Sequence, residues 1–184
     1  MAPHGIELES LRAEPVLVGE YNRLILATRN KATALFGVTS RLIAYAFNTY
    51  AGKADAPAWI VVDRQGGRIH YLRHIQRMFA GAAISVIEES DRRSSYFVED
   101  DAHAARIQFV TDGEDKFLPV ALASMASKYL RELFMELLNR YWAQRVKDLK
   151  PTAGYYVDGH RFLKDIAAAL ADGRIDRSLL VRSR

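Results

Sequence analysis

The feature that most restricts this chain is the run from about Pro119 to Lys147. Apolar side chains at Leu122, Met125, Tyr129, Leu133, Leu137 and Tyr141 step by three or four residues, with charged residues on the other faces. That is the period of an amphipathic helix. Upstream, Leu24, Ile25, Thr28, Ala32, Leu35 and Phe36 recur at helical spacing between Glu20 and about Tyr50, so one long helix or two consecutive ones are expected there, with Gly37 as the point of weakness. The turn formers of GKADAP then deliver the chain into WIVVD, a short apolar run suited to a strand buried on both faces and ending at Asp63.

The turn Arg64–Gly67 leads to an amphipathic segment, Arg68–Phe79, and then to a strand, AAISVIEE. SSYFVED and AARIQFVT, rich in aromatic and β-branched residues around a polar stretch, read as an antiparallel hairpin. After the long helix, LKPTAGYY is a loop, and a last helix is expected from about Asp158 to Ala171. Helices alternating with strands indicate an α/β fold rather than a helical bundle.

The chain has 184 residues, 49% of them hydrophobic, enough for a real core, and contains no cysteine. Disulfides and thiolate-bound zinc are excluded, and a reducing, cytoplasmic setting is the simplest expectation. The opening MAPHGIELESLRAEPV lacks the apolar core of a secretory signal, and no membrane span is expected. Net charge is +4, which permits attraction to phosphate backbones without requiring it. Between Lys128 and Lys164 basic residues interleave with Tyr129, Tyr141, Trp142, Tyr155 and Tyr156, whereas acidic residues collect from Glu88 to Asp115.

Asp63 stands at the carboxyl end of a buried strand, where open α/β sheets place functional groups. The plainer alternative is a cap for the following turn or helix. The Gly66–Gly67 pair could bring backbone amides to a phosphate, but no phosphate-loop pattern surrounds it. His70 and His74 have the i, i+4 spacing that can grip a metal from a helix, without the glutamate of a zinc-protease motif. Lys128 and Glu132 share a helix face, which by itself predicts a weak surface ion pair. Tyr141 and Trp142 are expected in the core rather than on a stacking platform.

The segment Ala121–Met135 resembles the signature helix of the ribonuclease HII (type 2 ribonuclease H) family. That helix reads AAAS, two apolar residues, AK, two residues, then RD and a nearby Met. Ser124, Lys128, Arg131 and Met135 fall in register with it. WIVVD is similar to the family's strand ending in DG, with Arg64 in place of the glycine. GYYVDGH is similar to its GYGT and downstream histidine, matching at Tyr155 and His160, and YNRLILATRNKA resembles the helix before the strand.

The resemblance spans about Gly19 to Ile166. It implies a ribonuclease H-like mixed sheet flanked by helices over 19–172, between a polar segment 1–18 and a basic tail 173–184. It also implies that the first central strand is missing and that a β-hairpin is inserted between Asp91 and Val110.

The implied chemistry is phosphodiester hydrolysis with Mg²⁺ or Mn²⁺ held by four carboxylates. Asp63 and Glu132 would be catalytic metal ligands. Lys128, Ser124, Arg131, Tyr155 and His160 would contact nucleic acid, with Tyr155 stacked on the sugar at an RNA–DNA junction.

Two departures qualify this reading. The family's DEAGRG strand, which supplies two carboxylates, has no counterpart; GIELES is the nearest acidic segment. Glu132 also stands where the family has Asp. Glu88, with Glu89, is the candidate replacement ligand, against the simpler expectation of a solvated strand end.

Two functions therefore compete. The first is an RNA–DNA hybrid nuclease, active if its carboxylates are completed. The second is a non-catalytic nucleic-acid-binding or assembly module, with a second protein chain as the candidate cover for its open sheet. A small-molecule enzyme using Asp63 and the Gly66–Gly67 turn ranks below both.

Overall fold

The computed structural model describes residues 5–52 and 56–183. Residues 53–55 of the GKADAP turn, the first four residues of the amino-terminal segment and Arg184 of the basic tail lie outside the described residues. The elements are α1 (Val18–Thr28), α2 (Lys31–Tyr50), β1 (Ala58–Asp63), α3 (Leu72–Met78), β2 (Ala83–Glu89), β3 (Arg93–Glu99) and β4 (Ala104–Val110). They continue with α4 (Gly113–Lys116), α5 (Leu118–Ala143), α6 (Tyr156–Asp165), α7 (Ala167–Asp172) and a short 3₁₀ turn at Arg177–Leu179. No helix among the described residues is long and apolar enough to cross a membrane.

The first helical run is two helices, and the break falls at Arg29–Asn30 rather than at Gly37. Arg29 adopts a left-handed φ of 50°, and the Asn30 side chain accepts a hydrogen bond from the Thr33 N–H at 3.0 Å, capping α2. Gly37 lies inside α2, whose other hydrogen bonds absorb its conformational cost. Helix α3 starts four residues later than the periodicity predicts. Gly66 turns the chain with φ 58°, and the Tyr71 N–H is committed to the hydroxyl of Tyr96 at 2.9 Å.

The chain divides into two compact units. Thr28–Ser124 form a sheet unit, and Met1–Ala27 with Met125–Arg184 form a helical unit. Helix α5 contributes its first turns to the former and the remainder to the latter.

In the sheet unit the strands run in the order β1-β4-β3-β2. β1 is parallel to β4, with Asp63 opposite Val110, while β4, β3 and β2 form an antiparallel meander. The mixed α/β sheet is as expected, but the hairpin is no appendage: its strands β3 and β4 are the two central strands.

One sheet face packs with α2 and α3 around Phe36, Phe47, Tyr71, Tyr96, Ile107 and Phe109. β1 is not buried on both faces as its apolar run predicts. It is an edge strand, none of its residues is fully buried, and Trp59 on the other face stays 56% exposed while its indole N–H donates to Gln108 at 2.8 Å.

The helical unit builds a second core from Trp142, Phe162 and Ile166, ringed by Leu138, Val146 and Leu163. Trp142 is core, as expected. Tyr141 is not: its ring is exposed under the Arg145 guanidinium, 3.6 Å from the ring centre. The predicted apolar stripe of α5 also remains at the surface, with Met125 66% and Tyr129 69% exposed. The helix instead buries Val120 near its start and Trp142 near its end.

Candidate functional site

In the sheet unit, the outer edge of β1 lies along a cleft of about 390 Å³ lined by Thr39 and Leu42 of α2, Val62 and Asp63 of β1, Glu114 of α4 and Ser124 of α5. Asp63 Oδ1 accepts the Gly113 N–H at 3.0 Å. Asp63 is thus a cap, but for α4, whose own N-cap residue Asp112 makes no side-chain cap bond.

A Cβ on Gly113 would lie 3.0 Å from Val110, 3.1 Å from Asp63 Oδ1 and 3.2 Å from Val120. Glycine is what lets the backbone approach the carboxylate so closely. Ser124 donates to Glu114 Oε2 at 2.6 Å. The serine singled out for nucleic-acid contact is therefore engaged with a carboxylate that the sequence reading did not single out. Glu114 follows Gly113 directly, and only the tertiary pairing of Gly113 with Asp63 brings it to this cleft.

In the helical unit the structure assembles Arg131, Glu132 and Tyr155. The loop Pro151–Gly154 folds back on α5 because Asn139 brackets Thr152, donating to its carbonyl at 2.9 Å and accepting its N–H at 2.8 Å. Asp158 accepts from Thr152 Oγ1 at 2.6 Å, Ala153 N at 2.8 Å and Arg161 at 2.6 Å. The Thr152 hydroxyl, with Arg161 and the Ala153 amide, holds the Asp158 carboxyl well below the usual carboxylate range.

So anchored, Gly154 (φ 77°) passes over α5 such that an added Cβ would meet Met135 Cε at 3.2 Å. Arg131 donates to the Ala153 carbonyl at 2.5 Å and to Glu132 at 2.5 Å, and its guanidinium lies 5.2 Å from the centre of the Tyr155 ring. The Tyr155 ring is 69% exposed. His160 packs edge-on against Tyr156 at 4.6 Å, and Lys128 is exposed on α5.

Glu88 is not brought to Asp63. Its strand is three positions from β1 in the sheet, about 14 Å at the usual strand spacing. Its carboxylate is bonded to Arg93 and to Ser90, and the Arg93 hydrogen bond holds its pKa down. The proposed replacement of a missing ligand by Glu88 fails on that geometry.

A bulge between Val86 and Glu88 turns Glu89, rather than Glu88, toward the α3 side. There Glu89 accepts the Tyr96 hydroxyl and lies 2.7 Å from His70 Nδ1. Burial opposes ionisation of Glu89, but the bonds from Tyr96 and His70 outweigh it and hold its pKa down. His70 precedes α3, so the helical His70–His74 pair does not form. His74 instead packs on Phe36, with ring centres 4.5 Å apart.

The metal expectation meets the same limit. Among the described residues, no group of three or more His, Asp or Glu side chains is placed to hold an ion. Asp63 belongs to the sheet unit and Glu132 to the helical unit, and each is already hydrogen-bonded. Within neither unit do the described residues assemble a four-carboxylate, two-ion set.

No protein-family model, no curated protein and no solved structure matches the chain.

Proposed function

We propose that the chain is a ribonuclease HII-like module that binds RNA–DNA hybrid. The observation that carries this reading is the docking of the Gly154–Tyr155 loop onto Arg131 and Met135, beside Glu132. These are residues that the resemblance singles out from separate parts of the sequence, and they lie side by side on α5 and the loop.

An exposed aromatic ring braced by a guanidinium offers a face for a sugar or base, with cations beside it for the adjoining phosphates. In this reading Tyr155 stacks at the ribose, where a 2′-hydroxyl separates RNA from DNA. Arg131, Lys128 and His160 contact the backbone; Ser124, in the sheet unit, is the further contact the resemblance assigns, and would exchange its bond to Glu114.

Bound Mg²⁺ or Mn²⁺ would supply an activated water and charge neutralisation at the leaving oxygen. Asp63 and Glu132 are the ligands this reading assigns, and by themselves they fall short of what two ions require. Binding accordingly stands ahead of hydrolysis. The second reading, a non-catalytic nucleic-acid-binding or assembly module, is favoured by that shortage and by the unpaired outer edge of β1, which a second chain could cover.

The test is fluorescence anisotropy with labelled RNA–DNA hybrid and the all-DNA duplex of the same sequence, at fixed low salt. The hybrid should bind more tightly, and Tyr155→Ala should weaken it by about tenfold, the lower range for one stacked base. Equal affinity for both duplexes, or no effect of Tyr155→Ala, overturns the proposal. Mn²⁺-dependent nicking of the hybrid that disappears in Asp63→Asn would establish the hydrolytic form; binding without nicking would establish the second reading.

A further inference from the structure

Between Asp63 and Glu88 the sequence contains Arg64, Arg68, Arg73 and Arg77 and not one Asp or Glu. Several arginines of this chain are held by a carboxylate or a carbonyl, as Arg93, Arg131, Arg140 and Arg161 are. Arg64 is another, donating to the carbonyls of Asp91 at 2.5 Å and Ser90 at 2.7 Å and so fastening the start of the loop.

Arg68 does not follow that pattern. Its guanidinium is wedged between two aromatic rings, 5.2 Å from the centre of Phe36 and 5.6 Å from that of Tyr71. Its Nη1 is buried with no hydrogen-bond partner, and no carboxylate pairs with it among the described residues.

A charged donor enclosed without an acceptor is costlier than a neutral one. The wedge is also rigid. Tyr71 stacks on Phe109 with ring centres 3.7 Å apart and planes 1° from parallel, and its hydroxyl accepts the Gln65 N–H at 3.3 Å.

The loop is fixed at its far end too, where Ser94 donates to the Ile69 carbonyl at 2.5 Å. Ordering the side chain has therefore been accomplished by folding, and an arriving anion would lose little further entropy to it. The cation's field is felt nearby: burial, and after it Arg68 and Arg77, push the His74 pKa down.

We propose that the Arg64–His70 loop is an oxyanion site in which the Arg68 guanidinium receives a phosphate group. The loop belongs wholly to the sheet unit. It follows β1, at the carboxyl end of a strand that runs parallel to its neighbour β4, the place where open α/β sheets receive ligands. The planar fork of arginine matches a phosphate's oxygens, and Gly66 and Gly67, beside which an added Cβ would meet nothing within 4 Å, leave the loop's own backbone uncovered. This proposal uses residues of the sheet unit alone and does not depend on the hybrid-binding proposal.

The experiment is a titration of the full chain with inorganic phosphate, followed by NMR at the Arg68 Nε–H and the Gly66 and Gly67 amides. Saturable shifts are expected in the wild type. They should weaken at least tenfold in Arg68→Gln and persist in Arg77→Gln, which removes the same charge one helix turn beyond His74.

Should Arg68→Gln fail to fold, Arg68→Lys keeps the charge and loses the fork, and at least threefold weaker binding is expected. Wild-type resonances that do not saturate, or shifts unchanged in Arg68→Gln or in a folded Arg68→Lys, overturn the proposal. An ordered water on Nη1 would then account for the unpartnered donor. Competition by RNA–DNA hybrid for the phosphate-induced shifts would identify a nucleic-acid backbone as the source of the phosphate. Shifts that hybrid leaves untouched would identify a free phosphate or phosphate monoester.

Discussion

At the scale of single residues, small side chains and buried charges decide this protein's local geometry. Gly113 is the clearest case, because three neighbours within 3.0–3.2 Å of an added Cβ include the Asp63 carboxylate. Gly113→Ala should destabilise the sheet unit by about 1–3 kcal/mol, the usual cost of overpacking, seen as a lower urea midpoint with an unchanged slope.

His74 makes a prediction with a definite sign. Its folded pKa is depressed by burial, with Arg68 and Arg77 adding to the effect, so the unfolded chain binds the proton more readily. The stabilisation is present above the unfolded value near 6.5 and is lost as pH falls from there through the folded value. Arg68→Gln should raise the His74 pKa toward the ordinary value, which an NMR titration of its ring protons would follow.

At the scale of elements, a helix and a loop make the candidate interface, and neither suffices alone. Helix α5 was readable from its period, and Arg131 and Glu132 from their register in it. What the period could not supply was the face that packs. The apolar stripe through Met125 and Tyr129 stays exposed, while Asn139 and Met135 receive the Pro151–Gly154 loop.

Gly154 holds a φ of 77°, a conformation that costs other residues about 1–2 kcal/mol. Gly154→Ala should destabilise the helical unit by about that amount, and by pushing on Met135 it should weaken hybrid binding as much as Tyr155→Ala does. Anisotropy and thermal melting of the same preparation would check both.

Asp158 holds this loop from the other side with a strongly depressed pKa, caused first by its bond from Thr152. The contribution it makes is present above the unfolded pKa near 3.9 and is lost as pH falls through the folded value. The Tyr155 loop should therefore keep its ordered NMR signals at pH 4. Asp158→Asn should lose that order at neutral pH.

At the scale of the whole molecule, a net charge of +4 is small, and the basic side chains assigned to the backbone contact are few. With roughly two phosphate contacts, raising salt from about 50 to about 200 mM should weaken hybrid affinity by about tenfold, far less than a heavily basic protein shows. A flat salt response would count against phosphate contact altogether.

The sequence by itself determined the kinds of element and their order, because periods of two and of three to four residues are local properties of the chain. It placed β1 with Asp63 at its end, the β3–β4 hairpin and the long helix α5. Tertiary structure decided what local patterns do not encode. It set the strand order, which makes the hairpin the middle of the sheet and β1 an edge, and which separates Glu88 from Asp63. It divided the chain into two units along α5. It also chose the partners, giving Asp63 to Gly113, Ser124 to Glu114 and Arg68 to two aromatic rings. Apart from Tyr71, three residues after Arg68, each partner lies far along the chain or on another element. Such pairings depend on how whole elements pack, a property no local window of sequence contains.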